Sequence, residues 1–126
     1  MNREAELPTF TTHLECSLTG ERFPADQPAG LSPAGRPLLV RYDLEALGRS
    51  LDRETLARRP GGFWRYAEFL PVRRAENRLD LGEVTTPLIH TPEPGAPGLW
   101  VKDEGRLPTG SFKARGLGVA VSMAKE

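Results

Sequence analysis

One lysine stands where its residue type and its position could do chemistry. Lys113 lies in the stretch PTGSFKARG (residues 108–116), between a Thr-Gly-Ser turn and residues with helical apolar spacing. A free lysine has a pKa of about 10.4 and must lose its proton before it attacks an aldehyde. The positive end of a helix dipole and burial beside Phe112 would both lower that pKa. In the alternative interpretation, Lys113 and Arg115 are solvated surface charges.

The residues just before Lys113 allow two further interpretations. Thr109 or Ser111 is expected to cap the helix by accepting a hydrogen bond from a free N–H group. The same hydroxyls could instead face a bound carboxylate or phosphate. Gly105 and Gly110 have the spacing of a phosphate-binding loop, but that loop requires its lysine directly after the second glycine. Lys113 comes three positions after Gly110, which disfavours nucleotide binding.

Candidate metal ligands are few. Cys16 is the single cysteine, whereas a zinc ribbon needs a pair of cysteines at each of its two turns, so no metal is expected. His13 and His90 have no obvious partners and are expected on the surface. A single cysteine cannot form an internal disulfide, so nothing indicates an oxidising compartment.

Composition narrows the class of protein. The 126 residues suffice for one small domain. The 17 basic residues balance the 17 acidic ones, which argues against a nucleic-acid partner or an anionic membrane. No long apolar run exists, so the chain is expected to be soluble and cytoplasmic.

The elements around these residues predict the beginning of an α/β layer with an incomplete sheet. Residues 1–36 are rich in turns and are expected to hold no long element. Asp52 is expected to cap a short helix within residues 45–59. The other predicted elements are a strand at 37–44, an aromatic helix at 63–69, two strands at 86–91 and 98–104, and a helix from Ser111.

The last predicted helix bears on whether the sequence is a whole protein or a fragment. Its apolar side comprises Leu117, Ala120, Val121 and Ala124, and the chain stops at Glu126 without a glycine cap. This ending suggests a fragment of a longer protein. Such a fragment would leave Leu117, Val121 and Ala124 exposed, and we expect it to self-associate and to be inactive alone.

Residues 102–116 (KDEGRLPTGSFKARG) resemble the lysine segment of fold-type II pyridoxal-phosphate enzymes, whose consensus is K-x-E-x-x-x-P-T-G-S-F-K-x-R-G. Three other segments narrow the resemblance to the threonine synthase family. FWRYAEFLP (63–71) resembles its W-R-Y…L-P segment, and LGEVTTPL (81–88) resembles L-G-E-G-x-T-P-L. Residues 15–44 resemble an N-terminal unit that is a small zinc ribbon in many members.

The resemblance implies a fold, a cofactor and a reaction. The fold would be the N-terminal part of a tryptophan synthase β-like α/β enzyme that converts O-phospho-L-homoserine and water to L-threonine and phosphate. Lys113 would be catalytic, carrying pyridoxal 5'-phosphate as a Schiff base and moving protons. Phe112 would back the cofactor, Ser111 and Thr109 would bind the substrate, and Arg115 would form a structural ion pair. The whole protein would be a homodimer.

The resemblance also implies boundaries and departures from the family pattern. Residues 1–44 would be a degenerate zinc-ribbon-like segment, 45–84 a helical connection, and 85–126 the truncated start of the catalytic domain. Thr19, Leu31 and Ala34 stand where zinc-bearing members have cysteine, and Val84 replaces a glycine. Two other functions stay open: a related threonine or serine dehydratase, and a non-catalytic interaction module.

Overall fold

The computed structural model describes residues 8–92, 95 and 98–126, and its first unit is a three-stranded antiparallel sheet. The strands are β1 (Thr11–Cys16), β2 (Arg22–Phe23) and β3 (Leu38–Tyr42), in the order β2-β1-β3. The strand predicted at 37–44 is confirmed. No strand was predicted within residues 1–36, but β1 and β2 lie there, and neither is longer than six residues. The sequence of β1, TTHLEC, is mostly polar and gives no strand signal. The strand forms because its main chain pairs with β3.

Two turns at the end of this sheet meet around Cys16. The thiol is 2% exposed, and its Sγ atom lies 3.1 Å from the Ser32 Oγ atom. Hydrogen bonding with the side chains of Ser32 and then Thr19 lowers the pKa of the Cys16 thiol to about 7. Ser32, not Leu31, therefore faces Cys16, and Leu31 is 68% exposed.

Short helices connect this sheet to the rest of the chain. Helix α1 (Leu44–Ser50) begins after Asp43, which accepts a hydrogen bond from the N–H of Ala46. Asp52 caps a second helix, α2 (Arg53–Arg58), by accepting from the N–H of Thr55 at 2.6 Å. The predicted cap is therefore confirmed, but the segment holds two helices rather than one. The predicted aromatic helix is a 3₁₀ helix at Phe63–Phe69.

The C-terminal part combines a hairpin with the longest helix. Strands β4 (Leu88–His90) and β5 (Trp100–Lys102) form an antiparallel pair, which confirms both predicted strands. The connection between them includes residues 93, 94, 96 and 97, which lie outside the described residues. Helix α3 (Lys113–Lys125) follows. The mixture of helices and strands agrees with the predicted α/β class at that coarse level.

Helix α3 packs through small residues. Its buried positions are Ala114, Gly118 and Ser122, spaced four apart on one face. Ser122 is fully buried: its hydroxyl donates to the Gly118 carbonyl at 2.7 Å and accepts from the N–H of Leu79 at 2.9 Å. The predicted apolar side is exposed instead, with Leu117 at 58% and Val121 at 47%. The expected exposure in this chain is thereby confirmed.

The apolar core of the described part is small. It consists of Cys16, Leu47, Ala67, Val72, Leu107 and Ala114, while many larger apolar side chains stay exposed. Both faces of the β4–β5 hairpin are exposed. No helix among the described residues has the length and hydropathy needed to cross a membrane.

Candidate functional site

The turn before α3 brings together the four residues expected to do chemistry. Gly110 has a φ of +66°, which glycine adopts without strain, and its N–H donates to the Leu107 carbonyl at 2.7 Å. The Thr109 hydroxyl donates to the Ser111 carbonyl, and the Ser111 Oγ atom accepts from the N–H of Lys113 at 3.3 Å. Ser111 thus accepts from one N–H group of the first turn, but the N-cap residue is Phe112, which makes no side-chain cap hydrogen bond, and Lys113 is the first residue of the helix.

Lys113 and Phe112 point into solvent in this chain. Phe112 is 67% exposed and Lys113 is also exposed, so the expected burial of the lysine beside Phe112 is wrong here. Within residues 8–92, 95 and 98–126, the Lys113 amine makes no hydrogen bond or ion pair, and only its main-chain N–H is engaged. An accessible, unengaged amine at a helix start fits covalent attachment of an aldehyde cofactor.

A bridge between Glu104 and Arg115 fixes this helix start. The Arg115 Nε atom lies 2.7 Å from Glu104 Oε2, and Nη2 lies 3.1 Å from Oε1, a paired geometry that orders both side chains. Both side chains are about three-quarters covered. The predicted structural ion pair of Arg115 is confirmed. Because Arg115 lies two residues after Lys113, the bridge holds the first turn of α3 against the segment that follows β5.

Thr86 and Lys102 extend the bridge toward the hairpin. Thr86 is 2% exposed and its hydroxyl donates to Glu104. The Lys102 amine donates to the Thr86 carbonyl at 2.5 Å. Lys102 is therefore engaged, whereas Lys113 is not. The sequence interpretation gave no role to Glu104 or Thr86, although Lys102 and Glu104 both belong to the quoted K-x-E motif.

Glu83 places a second carboxylate near Arg115. Its side chain is 3% exposed, and its Oε2 atom accepts from the N–H of Leu81 at 3.0 Å. The negative charges of Glu104 and then Glu83 contribute to the raised pKa of Arg115. The Val84 carbonyl accepts from Arg115 Nη2 at 3.4 Å, so Arg115 also holds the segment around Val84. Arg115 thus links the start of α3 to both Glu104 and the Val84 carbonyl.

The ion pair between Glu104 and Arg115 should make the stability of the chain depend on pH in acid. The substitution Glu104→Gln should remove this part of the dependence. Arg115, and after it the Thr86 hydroxyl, lower the pKa of Glu104 from 4.5 to about 2. A carboxyl group with a lowered folded-state pKa stabilises the fold fully above its unfolded pKa and loses this contribution as pH falls toward the folded value. We expect wild type to be more stable than Glu104→Gln at pH 7, and the difference to shrink between about pH 4.5 and pH 2.

The measurement is urea denaturation of both chains at intervals from pH 7 to pH 2. Other carboxylates titrate in both chains, so the difference between the two profiles isolates Glu104. The matched control is Glu54→Gln, because Glu54 is highly exposed and lies 3.9 Å from Arg58. Parallel profiles for wild type and Glu104→Gln would contradict the role given to the bridge.

Curated threonine synthases are similar to most of this chain. The threonine synthase of Methanocaldococcus jannaschii is 37% identical over 115 residues, which are 88% of this chain and 28% of that protein. That of Methanosarcina acetivorans is 35% identical over 119 residues, 90% of this chain and 28% of that protein. That of Halalkalibacterium halodurans is 48% identical over 64 residues, or 48% of this chain and 18% of that protein.

These similarities have a defined extent. The chain spans 28% of the length of the first two relatives. No protein-family model matches the chain, and no solved structure matches it. The similarity therefore rests on the curated threonine synthases alone.

Proposed function

Since this chain is a sequence relative of the threonine synthases, we propose that it forms the lysine-bearing part of an enzyme that makes L-threonine. The substrates would be O-phospho-L-homoserine and water, and the products L-threonine and phosphate. One observation carries the proposal to the level of residues. Lys113 begins helix α3 with its amine unengaged among the described residues, directly after the PTGSF turn.

The cofactor in this proposal is pyridoxal 5'-phosphate, which when bound supplies an electron sink for carbanion chemistry. The Lys113 Nζ atom would hold it covalently through its aldehyde. Once released from the cofactor, the same amine would accept and return protons as a general base and acid. Lys113 is exposed and begins helix α3, so its amine can be reached for both tasks.

Three neighbours of Lys113 would complete this part of the site. The exposed Phe112 ring would lie against the cofactor. The Ser111 hydroxyl accepts one hydrogen bond from the main chain and keeps its own proton to donate to an anionic substrate group. Thr109 would contribute a second hydroxyl by releasing the Ser111 carbonyl, to which it now donates. Arg115 and Glu104 would position the helix without touching the substrate.

An assay of products tests the proposal. The longest natural protein that contains this sequence is incubated with O-phospho-L-homoserine and pyridoxal phosphate, and phosphate, threonine and 2-oxobutanoate are measured. We expect phosphate and threonine in equal amounts, and no 2-oxobutanoate from either O-phosphohomoserine or added threonine. Rapid 2-oxobutanoate formation from threonine would identify a dehydratase. No turnover of either compound by cofactor-loaded protein would favour a non-catalytic module.

A further inference from the structure

A cavity lies beside the aromatic 3₁₀ helix Phe63–Phe69, apart from the Lys113 turn. Its volume is about 430 Å³, which falls within the usual range for small-molecule sites. None of Thr109, Ser111, Phe112 and Lys113 lines it. Its charged lining residues are Arg59, Arg65, Glu68, Arg78 and Asp80.

The two acidic residues of this cavity are already engaged. Arg59 and Glu68 form a two-pronged ion pair, with Nη2–Oε1 at 2.5 Å and Nη1–Oε2 at 2.8 Å. Asp80 accepts a hydrogen bond from the N–H of Gly82 at 2.8 Å. The three arginines exceed the two carboxylates by one positive charge, and Arg78 lacks a carboxylate bonded to it in the described part of the chain.

Arg78 is held in place without a carboxylate bonded to it among the described residues. Its guanidinium carbon lies 5.3 Å from the centre of the Trp64 ring, an arrangement typical of cation–π contact. The Arg78 Nε atom is buried and finds no hydrogen-bond acceptor among the described residues. Burial is the main cause that lowers the Arg78 pKa. A guanidinium desolvated in this way, without a bonded anion, costs free energy.

Arg65 lines the same cavity and also has a buried Nε atom without an acceptor among the described residues. One of its terminal nitrogens donates to the Leu56 carbonyl. The cavity thus combines two arginines that each have a buried Nε atom without an acceptor, a surplus positive charge and an aromatic wall from Phe63 and Trp64. Guanidinium groups bind phosphate and carboxylate through paired hydrogen bonds.

We propose that this cavity binds a small molecule through a phosphate or carboxylate group, with Arg78 as the principal side chain that contacts it. The bound oxyanion would supply the missing charge and would accept hydrogen bonds from the terminal nitrogens of Arg78, which make none within the described residues. This site is independent of the proposed threonine synthesis, because it shares no residue with the Lys113 turn. Either proposal can fail while the other stands.

Tryptophan emission provides the binding test. The sequence has two tryptophans, so Trp100→Phe leaves Trp64, beside Arg78, as the sole reporter. This 126-residue chain is titrated with inorganic phosphate, and separately with acetate, at constant ionic strength set by chloride. We expect a saturable change in emission with at least one of the two probes. Tighter binding of phosphate would indicate a phosphate site, and tighter binding of acetate a carboxylate site. A change that chloride reproduces equally would overturn the proposal.

Substitution of Arg78 tests its role. Arg78→Met is expected to weaken binding of the tighter probe at least tenfold. The control Arg53→Met removes an exposed arginine of α2 and should leave binding unchanged. Equal affinity in wild type and Arg78→Met, or equal weakening by both substitutions, would overturn the proposal.

Stability separates a binding role from a structural one. At probe concentrations ten times its dissociation constant, the folding equilibrium of wild type should rise about elevenfold. Arg78→Met should lose this rise, yet be at least as stable as wild type without the probe, since it removes a desolvated charge. If Arg78→Met is less stable than wild type and gains as much from the probe, Arg78 only supports Trp64 and the proposed site is wrong.

Discussion

Replacing Lys113 with alanine is expected to abolish both covalent cofactor capture and threonine synthesis in the protein that contains this sequence. The chain has three lysines, and they differ in their surroundings. The amine of Lys102 is bound to the Thr86 carbonyl, and that of Lys125 to the Glu76 carbonyl at 3.2 Å. Lys113 alone combines an unengaged amine, within the described residues, with a position in the first turn of a helix. Its loss should lower the rate by at least ~10³-fold, because covalent and proton-transfer roles disappear together.

The measurement for Lys113→Ala joins activity with chemical mapping. Borohydride reduction after incubation with pyridoxal phosphate fixes the cofactor to its lysine, and mass spectrometry of peptides locates it. The matched control is Lys125→Ala, which removes an exposed lysine of the same helix and should retain both activity and labelling at Lys113. Activity that survives in Lys113→Ala, or specific labelling at another lysine of wild type, would contradict the assignment.

Ser122→Leu is expected to destabilise the chain more than any exposed substitution on the same helix. The leucine would enlarge a side chain that has no exposure, and it would leave the N–H of Leu79 without its acceptor. Overpacking costs about 1–3 kcal/mol, and an unsatisfied buried donor costs about 1–3 kcal/mol more. A sum of about 2–6 kcal/mol is a large part of the stability of a small domain.

Urea denaturation monitored by circular dichroism measures the effect of Ser122→Leu. Ser122→Ala removes only the hydroxyl and should cost about 1–3 kcal/mol, which separates the hydrogen bonds from the overpacking. Ala124→Leu adds the same leucine to the exposed face and should change stability by less than about 0.5 kcal/mol. Similar midpoints for Ser122→Leu and Ala124→Leu would show that α3 does not dock through its small residues.

The local signals around Lys113 were readable from the sequence because they depend on near neighbours. Glycine at a turn, a serine that accepts from a first-turn N–H group and an apolar helical period act within a few residues, so the start of α3 was predicted. The ion pair of Arg115 was also predicted, but its partner was not. Glu104 lies eleven positions away, and the turns between the two residues bring them together. The role of Lys113 itself stays a prediction.

Other features depend on tertiary packing, and a periodic sequence pattern alone does not show which face of a helix is buried. The last helix has two faces with a helical period, one of large apolar residues and one of Ala114, Gly118 and Ser122. Hydropathy favours the first, but close approach of the main chain at Leu79 favours the second. Likewise β1 is polar, so its strand character comes from hydrogen bonds to β3 rather than from its own residues. The missed signal in α3 was the four-residue spacing of small side chains.

Because Cys16 is enclosed, the rate at which it reacts can measure how often the surrounding part of the three-stranded sheet opens. A thiol that is 2% exposed reacts with an alkylating reagent only during moments when the surrounding turns separate. When reclosing is faster than alkylation, the observed rate equals the reaction rate of an unprotected thiol multiplied by the fraction of time spent open. Because this is the sole cysteine of the sequence, the whole signal comes from one place. The loss of thiol over time therefore reports the opening equilibrium around β1 separately from events at α3.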